Sequence, residues 1–349
     1  MTDLKKAICV LAWALALCVC LLAADRLTRR DDSARKYAPF FEEKQDIDVL
    51  FLGTSHVLDG VSPMELWRDF GVTSYNMGNS SEPLDVTEWV LRIAMQTHKP
   101  KVAVIDVYYI DRQVDEEWTY AYRHLFLDAV PLSPLKLEAV RATLPKSEWL
   151  EFLMPFSLYH GRWEELLGGT AERNVDCEPY MMGGEFRIGR ATVLPYARTT
   201  LADESEQPGE QALVRIAALC RENGIEPVFM AIPAPVSGEE QMHMNRVHAL
   251  AQELGVPFLN LFDVEGLVDF DTDCYDYLGH MNPDGATKIT AYLGQWLTER
   301  YDLPDRRGDA AYAHWNDSLA RYEAAREEKW GGMTLLSGPG LTNPAPLVE

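Results

Sequence analysis

Basic side chains are scarce in this chain and nowhere form a run. Its 349 residues hold 32 lysines and arginines against 54 aspartates and glutamates, which gives a net charge of -22. Binding to a nucleic-acid backbone depends on clustered cations, so the composition argues against a nucleic-acid partner. The hydrophobic share of 47% and the charged share of 25% are ordinary for a globular protein. The acidity therefore indicates a soluble surface and no particular partner.

Cysteine is too sparse to define a metal site or a disulfide framework. Three of the six cysteines lie in an apolar run near the N-terminus, and Cys177, Cys220 and Cys274 are far apart. None of the spacings is that of a zinc site, and three thiols allow at most one disulfide. We expect no metal and no organic cofactor, and a domain that depends on its hydrophobic core for stability.

One long apolar run contrasts with the acidic remainder. Residues 7–24 contain no charged side chain, and as a helix they would span roughly 27 Å, close to the hydrocarbon thickness of a bilayer. The run is longer than the usual core of a signal peptide, and Leu22-Ala23-Ala24 is a weak match to a cleavage site. We favour a retained transmembrane anchor in residues 1–30 over a cleaved signal. Lysines precede the run and arginines follow it, so the charges do not set its orientation.

Strand and helix patterns alternate through residues 31–304, which we interpret as one α/β domain after a charged spacer near residues 25–45. Short buried strands are predicted at 48–52, 74–77, 102–105, 227–232 and 257–261, with helices at 63–70, 83–97, 210–223, 239–254 and 283–300. Strands separated by helices of this length imply a parallel sheet with helices on both faces.

Two regions depart from this alternation. Residues 110–208 are rich in aromatic residues and proline, and they are too long and too apolar for a plain loop, so we interpret them as an inserted cap or lid. Residues 305–349 are polar and end in glycine and proline, which predicts a partly ordered tail.

A serine directly follows the first predicted strand, in the stretch Gly53-Thr54-Ser55-His56. Loops after parallel strands collect at the sheet edge where ligands bind. A serine hydroxyl becomes nucleophilic when a histidine removes its proton and a carboxylate orients that histidine. Asp276 and His280 supply both groups on one short loop. We predict Ser55 as nucleophile, His280 as base and Asp276 as orienting acid; the alternative is a helix-capping serine and two ordinary loop residues.

An ester-cleaving serine also needs hydrogen-bond donors for the negative charge that develops on the substrate oxygen. The candidates are the backbone N–H of Ser55, the backbone N–H of Gly78 and the side-chain amide of Asn79, which follow the first two strands. A glycine that ends a strand is just as often turn punctuation, and this alternative stays open for Gly78.

These motifs resemble the SGNH (GDSL-like) hydrolase superfamily, in particular its membrane-anchored cell-envelope branch of DltD-like proteins and O-acyltransferases. The Gly53–His56 stretch resembles the first block, Asn76-Met77-Gly78 the second and Asp276–His280 the last. The resemblance covers about residues 48–300. It implies a flavodoxin-like three-layer α/β/α fold and ester hydrolysis or acyl transfer through an acyl-serine.

The same resemblance implies a location and partners. It places the main domain outside the cytoplasm, acting on a cell-envelope glycan or teichoic-acid-like polymer. It also implies that the protein acts together with a multi-spanning membrane O-acyltransferase that delivers the acyl group.

Two departures from the family pattern leave roles open. The family acid usually lies three residues before the histidine, whereas Asp276 lies four before His280, so either the loop bulges or Asp273 or no acid serves. The third block usually supplies an oxyanion asparagine, but this chain has Asp106-Val107-Tyr108-Tyr109. A binding or assembly subunit that keeps the fold without efficient chemistry is therefore a second hypothesis, and a secreted esterase for small substrates is a third.

Further polar and aromatic residues are candidates for contact with substrate. His56 follows the predicted nucleophile and could contact substrate, cap the turn or, less simply, act as base. The insertion carries a cation, an imidazole and aromatic faces suited to an anionic glycan or a lipid headgroup, or else to a packed lid. The predicted substrate-binding residues are His56, Asp106, Tyr108, His160, Arg162 and Trp163.

Overall fold

Five parallel strands form the centre of the molecule. The computed structural model describes residues 3–28, 31–112, 123–168 and 177–331. The strands are β1 (Val49–Leu52), β2 (Ser74–Asn76), β3 (Val102–Asp106), β4 (Glu226–Ala231) and β5 (Phe258–Asn260). Their order is β2-β1-β3-β4-β5, which is the flavodoxin-like order. The predicted fold class, a parallel sheet between two layers of helices, is confirmed.

Helices connect the strands and cover both faces of the sheet. In chain order they are α1 (Asp3–Thr28), α2 (Asp31–Glu42), α3 (Ser55–Gly60), α4 (Pro63–Phe70), α5 (Leu84–Ala94), α6 (Pro134–Thr143), α7 (Trp149–Leu153), α8 (Phe156–Tyr159), α9 (Trp163–Gly168), α10 (Glu210–Glu222), α11 (Gly238–Leu254), α12 (Pro283–Arg300) and α13 (Ala313–Arg326). Residues 123–127 are also helical. Short 3₁₀ turns lie at His160–Arg162, Pro179–Met181, Leu261–Asp263 and Ala310–Tyr312, and a π turn at Glu327–Gly331.

The apolar run of β1 supplies two separate cores because successive side chains of a strand point to opposite faces. Leu50 and Leu52 join the core beneath α5, α10 and α11, whereas Val49 and Phe51 join the core beneath α12. All four side chains are fully buried. A strand buried on both faces needs such a continuous apolar run, and the run ends where the chain turns toward the sheet edge.

The predicted polar tail is wrong for residues 305–331. Here the chain forms α13, which packs against α4. Trp315 is fully buried and its ring lies 5.4 Å from that of Trp67. The Nε1–H group of Trp67 donates to Asn316 at 3.0 Å. The remainder of the predicted tail, residues 332–349, lies outside the described residues.

The charged stretch before β1 belongs to the domain as well. Tyr37 and Phe40 of α2 are fully buried in the larger core, and Lys36 donates to the Gly183 carbonyl. The sequence suggested only a spacer here, since charged residues outnumber apolar ones. Two aromatic side chains three residues apart are enough to dock one face of a helix.

The described parts of the predicted insertion pack on the same core as the sheet. Phe126, Val140 and Phe152 are buried there, and the chain later runs beside the site loop, where the Val193 N–H donates to the Phe270 carbonyl at 2.8 Å. The expected cap is therefore in part a layer of the main domain, whereas residues 156–168 contact the end of α1. Residues 113–122, with Trp118, and residues 169–176 lie outside the described residues.

Helix α1 differs from all other described helices in its exposure. It is the one described helix that is long and apolar enough to cross a membrane, and a signal sequence near an N-terminus has the same character. Its apolar side chains, among them Leu11 and Trp13, are exposed. Only its last turn, with Asp25 and Thr28, is buried against the domain.

Candidate active site

Ser55 begins α3 immediately after a tight turn at the end of β1. Gly53 in this turn has a φ of +134°, a conformation that side-chain-bearing residues rarely adopt. A Cβ atom at Gly53 would lie 2.5 Å from the Cβ of Asp106. Thr54 caps the helix, because its side-chain oxygen accepts from the His56 N–H at 3.3 Å. The turn therefore presents Ser55 at the carboxyl edge of the sheet.

Asp106 at the end of β3 fixes that turn from the neighbouring strand. It accepts a 2.6 Å hydrogen bond from the Thr54 hydroxyl and one of 3.1 Å from the Tyr108 N–H. Burial raises the pKa of Asp106 to about 6, although these hydrogen bonds favour the charged form. The sequence placed Asp106 among the substrate contacts. The structure instead gives it 1% exposure and bonds to the turn.

A chain of three side chains joins the two ends of the domain. Ser55 Oγ lies 2.7 Å from Nε2 of His280, and Nδ1 of His280 lies 2.7 Å from Oδ2 of Asp276. The carboxylate fixes the tautomer: Nδ1–H donates to Asp276, which leaves Nε2 to accept the Ser55 hydroxyl proton. The structure therefore brings together the three residues that the sequence selected for nucleophile, base and acid.

The charges around His280 favour its protonated form. Burial opposes the imidazolium, but the hydrogen bond to Asp276 and the negative charges of Asp59 and Asp276 outweigh it and raise the pKa of His280 above its usual value. For Asp276, burial favours the neutral acid, but the hydrogen bonds from His280 and its charge lower the pKa of the carboxyl. The pair is therefore poised to hold a proton taken from Ser55.

The loop that carries the acid and the base accommodates its extra residue in a turn. Asp276 Oδ1 accepts from the N–H groups of Leu278 at 3.0 Å and His280 at 3.2 Å. Gly279 closes the turn with a φ of +78°. Asp273, the alternative acid, is instead buried and bonded to Lys288 Nζ at 2.6 Å. In this structure Asp276, and not Asp273, contacts the base.

Helix α12 starts three residues after His280 and holds the loop in place. Asn282 caps it, accepting from the N–H groups of Asp284 at 3.1 Å and Gly285 at 3.2 Å. The Asn282 amide also donates to the Thr272 carbonyl at 2.8 Å. One side chain thus joins both ends of the site loop to the helix, which fixes where His280 points.

Two of the three predicted oxyanion donors have other partners in this structure. The Gly78 N–H donates to Asn76 Oδ1 at 2.9 Å. The Asn79 side chain is hydrogen-bonded to Glu82. The Ser55 N–H has no acceptor within the described part of the chain, as expected for the first turn of a helix. The roles of Gly78 and Asn79 stay predictions that require a local rearrangement, whereas the Ser55 N–H needs none.

Asn76 is a residue whose importance sequence reasoning missed. Its Nδ2 donates to the carbonyls of Val57 at 2.8 Å and Val61 at 2.9 Å, while its Oδ1 accepts from Gly78. It is fully buried. The signal was an asparagine at the end of a strand, two residues before Gly78. By joining β2 to the end of α3, Asn76 fixes the helix that begins with the nucleophile.

His56 lies between two aromatic rings. Its ring centroid is 4.1 Å from that of Tyr108 and 4.9 Å from that of His280. Burial, together with the positive charge of nearby His280, lowers the pKa of His56 to about 3, so the ring stays neutral. Its Nδ1 is buried without a hydrogen-bond partner among the described residues. With 2% exposure, His56 borders the site through its ring face.

A buried ion pair beside the base was also missed. Asp59 lies one helical turn after Ser55 and accepts from Arg187 Nε at 3.1 Å. Burial raises the pKa of Asp59 above its usual value, and Arg187 opposes that rise. Arg187 also pairs with Glu185 at 3.0 Å. The i, i+4 spacing of Ser55 and Asp59 could have identified the aspartate, but no local signal links Arg187 to the site.

Three predicted substrate contacts lie at another place. Arg162 donates to the Thr28 carbonyl at 3.0 Å and pairs with Glu165 at 3.1 Å, and His160 Nδ1 lies 2.9 Å from the Ser157 carbonyl. Trp163 follows them and is 54% exposed. The contacts of this segment are with the end of α1, and none is with Ser55 or His280. Tyr108, in contrast, borders the site through His56.

Comparison with known proteins finds only remote structural likenesses. No protein-family model matches the chain, and no curated protein does. Two similar solved structures are a protein assigned to the G-D-S-L lipolytic family from Desulfitobacterium hafniense, at 13% identity and a TM-score of 0.39, and a GDSL-like lipase from Bacteroides thetaiotaomicron, at 9% identity and a TM-score of 0.36. The matches cover 72% and 74% of this chain and 100% and 91% of those chains. At these scores the likeness carries no argument about chemistry.

Proposed function

We propose that this protein is a serine esterase or O-acyltransferase that acts on ester-linked acyl groups. The observation that carries the proposal is the pair of 2.7 Å contacts that links Ser55 to His280 and His280 to Asp276. If Ser55 only capped a helix and His280 only stabilised a loop, neither role would require contact between the hydroxyl and the imidazole. The three groups together have the arrangement that makes a hydroxyl nucleophilic.

In the first half of the reaction, Ser55 Oγ attacks the acyl carbonyl carbon while its proton passes to Nε2 of His280. The carbonyl electrons move to oxygen, where the Ser55 N–H stabilises the negative charge. Collapse of this intermediate breaks the ester bond, and His280 returns the proton to the departing alcohol oxygen. The acyl group is then an ester of Ser55, and Asp276 has stabilised the transient imidazolium.

The second half repeats these steps with a new nucleophile. His280 removes a proton from water or from an acceptor hydroxyl, whose oxygen attacks the acyl-serine carbonyl. Release of Ser55 Oγ, which regains the proton from His280, completes the cycle. Water yields hydrolysis, whereas a sugar hydroxyl yields transfer, so the acceptor that reaches the site decides the reaction.

We further propose that α1 stays attached and holds the domain at the outer face of a membrane, with a cell-envelope polymer as substrate. A multi-spanning O-acyltransferase would supply the acyl group. The support is the apolar character of α1 and the family resemblance of the three motifs. A mature protein whose N-terminus lies near Asp25 would instead favour a secreted esterase, and intact-mass measurement of the protein purified from cells decides between them.

Labelling with a fluorophosphonate probe tests the chemistry. We expect the full chain in detergent to gain one adduct on Ser55, identified by mass spectrometry of the peptide, and to lose it in Ser55→Ala and His280→Ala. Ser205→Ala, which changes an exposed loop serine bonded only to its neighbours, should label fully. An adduct that persists in His280→Ala would contradict the mechanism.

A second candidate function is a binding or assembly subunit without efficient chemistry. The engagement of the Gly78 N–H by Asn76 favours it, because one oxyanion donor alone stabilises the transition state weakly. This candidate predicts a folded wild-type protein that gains no adduct and still binds the polymer. Labelling of Ser55 would exclude it.

A further inference from the structure

We propose that the segment Phe156–Gly168, which we term the shoulder, rests on the surface of the bilayer that α1 crosses. The occupant of this surface is lipid, with Leu158, Trp163 and Leu167 at the boundary between headgroups and hydrocarbon. The inference rests on the proposed retention of α1 as a membrane helix. It adds a second membrane contact, made by a part of the chain more than a hundred residues away.

The shoulder is attached to the end of α1 by specific bonds. The Phe156 N–H donates to Asp25 Oδ1 at 2.8 Å, and Arg162 Nη1 donates to the Thr28 carbonyl at 3.0 Å. Asp25 and Thr28 are each 5% exposed, whereas the preceding apolar turns of α1 are exposed. The domain therefore holds α1 at its last turn and leaves the rest of the helix free for lipid.

These bonds set the height of the shoulder. Asp25 is the first charged residue after the apolar run of residues 7–24. A charged side chain that follows a membrane span lies at the level of the headgroups, because its burial in hydrocarbon is costly. The shoulder contacts α1 at Asp25 and Thr28, so it lies at the same level. Tryptophan is enriched at this depth, where its ring meets hydrocarbon and its N–H meets water.

The shoulder exposes apolar side chains on one side of α9. Trp163 is 54% exposed and Leu167 is 82% exposed, and their i, i+4 spacing puts them on one face of the helix. Leu158 of α8 is 40% exposed. Exposure of these three side chains to water is unfavourable, because removal of an apolar group from water lowers the free energy.

The charge of the protein indicates how the shoulder binds. The chain has a net charge of -22, and Glu164 and Glu165 lie in the shoulder. Arg162 pairs with Glu165, so the shoulder carries little net charge and anionic lipid headgroups would attract it only weakly. Binding therefore comes from insertion of apolar side chains, and we expect it in neutral phosphatidylcholine and at high salt, where electrostatic attraction is screened.

Photo-crosslinking tests the inference. The full chain is reconstituted in phosphatidylcholine nanodiscs that contain a lipid with a diazirine on the first carbons of its acyl chain, and adducts are mapped by mass spectrometry after irradiation. We expect adducts on α1 and on the peptide that contains Leu158, Trp163 and Leu167, with the same yield at high salt. Leu201 and Leu278, at 66% and 64% exposure, are matched apolar controls that should carry none.

Substitution completes the test. Trp163→Ser with Leu167→Ser should remove the shoulder adducts and leave those on α1, whereas Leu201→Ser should change nothing. Adducts on α1 alone in the wild type would contradict the membrane contact of the shoulder and support α1 as the anchor. No adducts at all would overturn both. Ser55 labelling by fluorophosphonate is read in the same samples, so a failure of the proposed chemistry is seen separately.

Discussion

The imidazole rings of His56 and His280 lie 4.9 Å apart, centroid to centroid, with an angle of 27° between their planes. The inner ring is neutral because burial lowers the pKa of His56 to about 3. The His56 ring therefore packs against His280 and excludes water from that face, without placing a positive charge beside it. A neutral ring also avoids the repulsion that a second imidazolium would exert on protonated His280.

His56→Ala should lower kcat roughly 10- to 100-fold, because His280 loses the surface that holds its ring in position. Water would then reach His280, and relief of its burial would raise the pKa of His280 further. The acid limb of the pH–rate profile should move to higher pH. His56→Phe keeps the stacked ring and should keep the limb in place. If Phe is as harmful as Ala, a nitrogen of His56 is needed and the stacking argument is wrong.

Asp276→Asn should lower kcat roughly 1,000- to 10,000-fold while leaving KM for an aryl ester nearly unchanged, since an amide cannot hold the required tautomer or support the imidazolium. The matched control is Asp273→Asn, which removes a carboxylate bonded to Lys288. It should lower the melting temperature and leave kcat within a few-fold. Equal losses of kcat in both variants would argue against Asp276 as the acid.

The rate should rise with pH through the pKa of His280, because only the neutral ring accepts the Ser55 proton. That pKa is raised above the usual value of histidine, in part by the negative charge of Asp59. Asp59→Asn removes this charge, while Arg187 stays paired with Glu185, so the pKa of His280 should fall. The acid limb should therefore move to lower pH. Asp85→Asn, which removes a carboxylate on the distant helix α5, should not move it.

Trp315→Ala should destabilise the domain by about 3–5 kcal/mol, the range for removal of a large buried aromatic side chain. Trp315 is fully buried against Trp67, and the same helix supplies Tyr322, whose hydroxyl donates to Glu65 at 2.8 Å. Urea titration followed by circular dichroism measures the change. Asp317→Ala, on the exposed face of α13, should stay within about 0.5 kcal/mol. A small effect of Trp315→Ala would mean that α13 is dispensable for the core.

The sequence predicted the sheet well because its strands are apolar on both faces. Helix α4 and helix α12 begin and end at the predicted residues, and Ser62 and Asn282 cap their N-termini. The sequence pointed to Asp276 and His280 as acid and base because they share one loop. Their proximity to Ser55 could be predicted because the strand ends of a parallel sheet lie at one edge.

The features that could not be predicted from the sequence depend on contacts between distant segments. Arg187 reaches Asp59 across 128 residues, and no local pattern encodes such a pairing. The apolar positions of α13 are few and separated by charged residues, so a helix with only Trp315 and Tyr322 buried resembled a solvated tail. The bond that occupies the Gly78 N–H is set by Asn76, and motif spacing says nothing about that bond.

Ser55 and His280, the proposed nucleophile and base, are 225 residues apart in the chain. During synthesis Ser55 emerges early, whereas His280 and the helix that holds it come near the end. Until then the serine is an ordinary alcohol, because no base is present to take its proton. Under the proposed mechanism, products of interrupted translation should therefore be inert toward esters, and activity should appear only in a molecule whose sheet has been completed through β5.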